Sequence, residues 1–166
     1  FFLVPAGIFN SKLRLFHQGR RTVFPFLNKE LKPNTPRIWV HAASLGEYEQ
    51  GLPVVKELKS IYPNHQILMT FFSPSGYEVK KNTREVDVVA YLPLDIAANC
   101  RRFLDLVQPE VAIFIRYEVW PNYLRELNKR GIPAVLISAI FKRRQIYFKP
   151  YGRFMLRALK QFQHYF

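Results

Sequence analysis

The sequence of 166 residues is long enough for one sizeable hydrophobic core, and its 49% hydrophobic and 22% charged residues are ordinary for a globular protein. Cys100 is the one cysteine, so the chain forms no internal disulfide and fits a reducing compartment. The four histidines show no paired ligand spacing, so we interpret them as packing or surface histidines and predict no metal site. No run of about 20 apolar residues, as needed to cross a bilayer, occurs in the sequence.

The net charge of +13 is unevenly distributed along the chain. Residues 1–32 carry +5, residues 33–115 carry −1 and residues 116–166 carry +9. A fold that brings the two basic ends to one face would have a strongly positive patch there. Such a patch would attract nucleic acid, an anionic membrane surface or a phosphorylated substrate, and charge alone does not choose among them.

Residues 1–36 read as a basic and aromatic segment ahead of the main domain. Residues 1–9 are apolar enough to be the end of an anchor that begins further upstream. In residues 10–32, Lys and Arg alternate with Leu and Phe, a composition suited to the headgroup region of a membrane. An amphipathic arm that packs on the domain is the alternative. Two prolines, Pro33 and Pro36, then separate this segment from a domain over residues 37–166.

From residue 37 onward, short apolar runs alternate with helical patterns. The predicted strands are 38–43, 66–72, 88–92, 111–116 and 134–140. The predicted helices are 47–61, about 76–83, 95–107, 120–130 and about 151–163. Strand starts recur every 22 to 28 residues, as right-handed βαβ crossovers require. The pattern predicts an α/β fold, a Rossmann-like parallel sheet flanked by helices on both faces.

The turn after the first predicted strand contains Ser44, Gly46 and Glu47. A strand, a turn of small residues and a helix follow one another here, with Glu47 in the first turn of the helix. The backbone N–H groups of such a helix start favour an anion or a carboxylate. Glu47 is therefore either a functional carboxylate or only a complement to the helix dipole, since acids in the first turn are common.

Ligands of parallel α/β sheets bind beyond the carboxyl ends of the strands, so the later turns matter equally. Ser73 or Ser75 is expected to cap the helix after the second strand, with Glu78 closing a capping box. Asp95 is expected to be the N-cap of its own helix. Glu118 stands in a polar and aromatic turn after the fourth strand, where a functional role and a structural one remain equally open.

Several motifs that would indicate other functions do not occur in the sequence. There is no G-x-G-x-x-G or Walker sequence and no G-x-S-x-G elbow, so nucleotide-binding and serine-hydrolase interpretations lack support. Two glutamates at strand ends and several hydroxyl-bearing turns remain.

Four segments resemble one known family in order and spacing: residues 41–47 (HAASLGE), 70–76 (TFFSPSG), 91–95 (YLPLD) and 118–122 (EVWPN). The family is that of the 3-deoxy-D-manno-octulosonic acid (Kdo) transferases, glycosyltransferases of lipopolysaccharide assembly with the two-domain GT-B fold. The resemblance runs from about residue 19 to the end of the chain and covers the N-terminal, acceptor-side domain. It implies a second, C-terminal domain, absent from this chain, that binds most of the donor.

The resemblance implies a reaction in which Kdo passes from CMP-Kdo to a hydroxyl of the lipid A precursor, lipid IVA. It makes Glu47 the general base and gives Glu118 a role in orienting the acceptor or supporting the site. Further positions for acceptor binding or site support are Ser44, Gly46, Ser73, Ser75 and Gly76. No cofactor or metal is implied, because CMP-Kdo is itself the donor substrate. The implied location is the cytoplasmic face of the bacterial inner membrane, against an anionic surface.

Two departures limit what the resemblance transfers. Arg116 stands where many members have an acid, and residues 138–140 differ from the family's Asn-Ala-Arg, so no role is assigned to them. Two other classes of function stay open. One is a membrane- or lipid-binding fragment without turnover. The other, a basic nucleic-acid-binding domain, lacks any recognised binding motif, and nucleic acid is not an expected partner.

Overall fold

The computed structural model describes Arg14, Phe16, residues 18–141, Lys149 and residues 152–166. Six helices and six strands have defined bounds within this part of the chain, and residues 18–21 are also helical. The helices are α1 (Val23–Glu30), α2 (Leu45–Ile61), α3 (Pro74–Lys80), α4 (Ala97–Val107), α5 (Pro121–Lys129) and α6 (Arg153–Leu159). The strands are β1 (Arg37–Ala42), β2 (Gln66–Phe71), β3 (Val88–Tyr91), β4 (Val111–Ile115), β5 (Ala134–Ile137) and β6 (His164–Tyr165).

The strands form one six-stranded sheet in the order β3-β2-β1-β4-β5-β6, and each neighbouring pair is parallel. This order is that of doubly wound Rossmann-type sheets, and its direction reverses between β1 and β4. The predicted α/β fold class is confirmed. The five predicted strands all form, and β6 is a sixth that the sequence pattern did not indicate.

Each face of the sheet packs against its own set of helices. On one face, Trp39 and Phe114 pack with residues of α1, α4, α5 and α6. On the other face, Val40 and Ile113 pack with residues of α2. Strands buried on both sides in this way explain why the sequence showed continuous apolar runs rather than alternation.

Two strands end earlier than predicted because their next residue adopts a left-handed conformation. Arg116 follows β4 with φ 67°, and Ser138 follows β5 with φ 57°. Such φ values are uncommon for residues other than glycine and do not continue a strand. Both positions lie at the carboxyl edge of the sheet.

The described part of the N-terminal segment packs on the domain. Val23, Leu27 and Leu31 are buried in the same core cluster as Trp39. For these three residues the packing agrees with the second of the two interpretations left open for residues 10–32, whereas residues 10–13, 15 and 17 lie outside the described residues. Residues 1–9, the possible end of an anchor, lie outside the described residues. No helix in the described part of the chain is long and apolar enough to span a bilayer.

Candidate active site

The predicted site residues follow three strands that are neighbours in the sheet. Glu47 follows β1, Ser73 and Ser75 follow β2, and Glu118 follows β4; β1 pairs with both of the others. Because the sheet is parallel, these turns share its carboxyl edge, and β1 and β4 flank the point where the strand order reverses. The prediction that Glu47 and Glu118 lie at the same edge is confirmed.

The turn after β1 presents Glu47 at the third position of α2. Ser44 is the N-cap residue in an extended conformation, and its side chain makes no capping hydrogen bond to the helix. Instead, Ser44 Oγ donates a hydrogen bond to Glu47 Oε2. This contact holds one of the two carboxylate oxygens of Glu47. Glu47 is half-buried, as suits a carboxylate that must meet a ligand.

The two glycines of the predicted site differ in their surroundings. A Cβ on Gly46 would meet only Ser44 Oγ at 4.0 Å, whereas one on Gly76 would collide with the Phe71 ring. Gly76 is buried and lets α3 approach β2 closely, so packing accounts for it. Gly46 is exposed and a Cβ there would meet open space, so packing does not account for this glycine.

The turn after β2 lies directly beside the turn after β1. The backbone N–H of Ser73 donates to Ala43 O at 2.7 Å. Ser73 caps α3 through a hydrogen bond from Ser75 N, and the two serine hydroxyls are 2.9 Å apart. Ser73 thus fills the predicted capping role. The capping box expected for Glu78 is wrong, because this carboxylate instead binds Lys81 at 2.7 Å and Tyr91 Oη at 3.3 Å.

Asp95 has a different partner from the one expected. The N-cap position of α4 is occupied by Ile96, and the Asp95 carboxylate accepts backbone N–H bonds from Asn122 and Tyr123, both at 3.1 Å. It therefore caps α5, a helix on the neighbouring connection. The sequence interpretation of Asp95 as the cap of its own helix is wrong, because the tertiary fold brings the start of α5 beside it.

Glu118 is held in the turn between β4 and α5. Trp120 Nε1 donates to Glu118 Oε2 at 2.9 Å, and His41 Nε2 lies 3.4 Å from the same oxygen. The left-handed residue Arg116 makes the sharp turn that lets this segment fold back beside β1. His41 was interpreted from the sequence as a packing or surface histidine. It is fully buried, but it also contacts a predicted site residue.

An arginine of the N-terminal segment is bound to this same edge of the sheet. The Arg20 guanidinium donates to Leu92 O at 3.0 Å and to Phe72 O at 2.6 Å, and its Cζ lies 3.7 Å from the Phe16 ring centroid. Burial lowers the pKa of Arg20 to about 10. The Phe72 ring in turn packs on Trp120 at 4.8 Å between ring centroids. The N-terminal segment thus supports the aromatic side chains of Phe72 and Trp120 beside Glu118.

The strand order and the helices on both faces define a Rossmann-like α/β domain. Polar residues lie at the carboxyl edge of its sheet, where the strand order reverses. The chain belongs to the 3-deoxy-D-manno-octulosonic acid transferase (Kdo transferase) family, whose N-terminal model matches residues 17–166. This confirms the resemblance inferred from the four sequence segments.

Relatives that bear this name come from distant sources. The chain is 35% identical to the 3-deoxy-D-manno-octulosonic acid transferase of Haemophilus influenzae over 80% of this chain and 31% of the relative. It is 36% identical to that of Aquifex aeolicus over 70% of this chain and 32% of the relative. It is 34% identical to a probable mitochondrial one of Arabidopsis thaliana over 66% of this chain and 25% of the relative. The matched part spans a third or less of each of these relatives.

Proposed function

We propose that this chain is the acceptor-side domain of a glycosyltransferase that transfers Kdo from CMP-Kdo to a hydroxyl of the lipid A precursor lipid IVA. One observation carries the proposal. In a chain of the Kdo transferase family, Glu47 stands at the carboxyl edge of β1, beside the strand-order reversal, with one carboxylate oxygen held by Ser44. The substrates are those that the family resemblance implies.

The proposed reaction needs a base because a sugar hydroxyl is a poor nucleophile. The hydroxyl oxygen of the acceptor forms a bond to the anomeric carbon of Kdo as the bond from that carbon to the phosphate oxygen of CMP breaks. CMP leaves with the bonding electron pair. The hydroxyl proton passes to Glu47, in keeping with the role of carboxylates as general bases.

The remaining predicted residues would bind and orient the acceptor. Ser73 and Ser75 present hydroxyls from the turn beside Glu47, and Gly46 leaves open space at the helix start. Glu118 would accept hydrogen bonds from the acceptor at the neighbouring strand end. Gly76 would contribute through the close packing of α3 on β2 that sets the position of this turn.

Donor binding and membrane location belong to the proposal as well. Since the named relatives are about three to four times as long as the matched part, a further domain would bind most of CMP-Kdo. We therefore expect these 166 residues alone to show no Kdo transfer. The net charge of +13 suits a phosphorylated lipid in an anionic membrane, and the location we propose is the cytoplasmic face of the bacterial inner membrane. The same charge would also suit a lipid-binding domain without turnover.

A substitution at Glu47 in the complete protein that contains this chain separates these functions. Glu47→Gln keeps shape and hydrogen bonding but accepts no proton at neutral pH. With CMP-Kdo and lipid IVA as substrates, we expect kcat to fall by about 10²- to 10⁴-fold while acceptor binding changes little. If Glu47 only complements the helix dipole, the substitution costs roughly 0.3–1 kcal/mol of stability and kcat survives.

Glu49→Gln is the matched control for this experiment. Glu49 lies two residues further along α2, is exposed and pairs with Lys80 at 2.9 Å. We expect its substitution to leave kcat near the wild-type value. A folded Glu47→Gln protein with near-normal kcat would contradict the assignment of the base and direct the search to Glu118. Absence of turnover in the complete wild-type protein would favour the lipid-binding alternative.

A further inference from the structure

His41 lies between two polar residues that come from different strands. It is fully buried at the carboxyl end of β1, on the same face of the sheet as Trp39. Its Nδ1 is 2.9 Å from Thr70 Oγ1 on β2, and its Nε2 is 3.4 Å from Glu118 Oε2 beyond β4. The imidazole thus bridges three adjacent strands next to the proposed site.

The hydrogen bonds around Thr70 indicate which nitrogen of His41 carries the proton. Trp39 Nε1 donates to Thr70 Oγ1 at 2.8 Å, so the hydroxyl proton of Thr70 must point to another acceptor. The two acceptors in reach are His41 Nδ1 at 2.9 Å and Val40 O at 3.4 Å, and the shorter contact favours Nδ1. A neutral imidazole that accepts at Nδ1 carries its proton on Nε2.

The Glu118 carboxylate is then the acceptor within reach of the Nε2–H of His41. Within the described part of the chain, Nε2 is buried and makes no hydrogen bond, and Glu118 Oε2 lies 3.4 Å from it. A buried donor without an acceptor is unfavourable, and hydrogen bonds at catalytic sites are often long before the substrate binds. Trp120 Nε1 donates to the same oxygen, Oε2.

We propose that His41 is a positioning residue for Glu118: Thr70 orients the imidazole so that its Nε2–H and the Trp120 N–H together hold Oε2, which leaves Oε1 directed to the acceptor. This inference rests on the proposed role of Glu118 in acceptor orientation. Held at one oxygen from two sides, the carboxylate keeps a single orientation when the acceptor arrives. The residue that holds it comes from β1, the strand that also leads to Glu47.

Two substitutions of His41 differ in the nitrogen that they imitate. The amide of Gln reaches the position of Nε2 and keeps a donor to Glu118, whereas the shorter amide of Asn reaches only the position of Nδ1. In the complete protein, with CMP-Kdo and lipid IVA, we expect His41→Asn to lower kcat by about 10- to 100-fold, the range for residues that orient a functional group. We expect His41→Gln to recover most of this loss. Equal losses in both variants would overturn the proposal.

A double substitution tests whether His41 acts through Glu118. If it does, adding His41→Asn to Glu118→Gln lowers kcat by less than about twofold further, because the group that it positions is already altered. Fully multiplicative losses would overturn the proposal. If Glu118→Gln alone keeps wild-type kcat, the proposed role of Glu118 fails, and the inference built on it fails with it.

The matched control is a second histidine–glutamate pair at the opposite edge of the sheet. His65 Nε2 lies 3.0 Å from Glu110 Oε2, just before β2 and β4 begin. We expect His65→Asn to leave kcat unchanged. If His41→Asn does not fold, ¹⁵N spectra of histidine-labelled wild-type protein still decide the question. The proposal is supported if the proton is on His41 Nε2 in the wild type and moves wholly or partly to Nδ1 in Thr70→Val. A proton on Nδ1 in the wild type contradicts it.

Discussion

Asp95 and Asn122 are hydrogen-bonded in both directions. The Asp95 carboxylate accepts the backbone N–H of Asn122 at 3.1 Å, and the Asn122 side-chain amide donates to Asp95 O at 2.7 Å. The loop after β3 is thereby joined to the start of α5, only a few residues beyond Glu118. The orientation of the Glu118 turn therefore depends partly on a carboxylate that follows β3, a strand separated from β4 by β2 and β1.

Removal of this cap should destabilise the domain. Asp95→Ala leaves the N–H groups of Asn122 and Tyr123 without their acceptor, and we expect a loss of about 1–2 kcal/mol in the free energy of unfolding. Urea unfolding of the protein measures it. Asp105→Ala is the control, because Asp105 is exposed and makes a surface ion pair with Arg130 at 2.8 Å. Such a pair contributes about 0–1 kcal/mol, so equal losses in the two variants would contradict the capping role.

The two glycines of the candidate site should respond oppositely to alanine. Gly76→Ala places a Cβ against the Phe71 ring, and we expect a loss of about 1–3 kcal/mol in stability from overpacking. Gly46→Ala meets open space and should leave stability unchanged or raise it slightly within the helix. If Gly46 borders the acceptor, its substitution raises KM for the acceptor nonetheless. Stability loss at Gly46 without any kinetic change would contradict this assignment.

The stability of the domain should decrease in acid partly through Glu85. A hydrogen bond from Tyr48 Oη, with Lys80 and Lys56 nearby, lowers the pKa of Glu85 below its ordinary value of 4.5. The folded state thus favours the carboxylate. Its contribution is fully present above the ordinary pKa and is lost as the pH falls through the lower folded value.

Glu85→Gln isolates this contribution. Because Glu85 is partly exposed, we expect the variant to lose only about 1 kcal/mol at pH 7, or a Tm lower by roughly 2–4 °C. The Tm difference between Glu85→Gln and wild type should disappear as the pH falls below the range in which carboxyl groups titrate. A Tm difference that stays constant from pH 7 to pH 3 would show that the carboxylate charge does not matter.

Binding to anionic vesicles should depend strongly on salt. The chain carries +13 overall, and each basic residue near an anionic surface contributes about 1 kcal/mol, screened over roughly 8 Å at physiological salt. We expect co-sedimentation with anionic vesicles that decreases as salt rises, and little with neutral vesicles. Equal binding to both vesicle types at all salt concentrations would rule out the electrostatic account.

Local pattern was sufficient for the strands β1 to β5 and for the site's first residues, but not for α1 or β6. The apolar runs that became β1 and β2 were predicted within one residue of their observed ends, because strands buried on both faces leave a direct mark in hydrophobicity. Glu47 and Glu118 could be selected because each lies in the turn or helix start that follows such a run. The family motifs then supplied the chemistry.

Only the tertiary structure decided which of these turns are neighbours. The strand order places β1 between β2 and β4, and no local pattern contains that information, because contacts between distant segments depend on how the crossovers pack. His41 could be interpreted only as a packing or surface histidine until the register set it opposite Thr70 and beside the Glu118 turn. Asp95 was expected to be an N-cap, but the helix that it caps depends on which helix start lies beside it in the folded protein. The two-residue strand β6 forms for a similar reason: the exposed edge of β5 offers hydrogen bonds to a segment that carries no strand signal of its own.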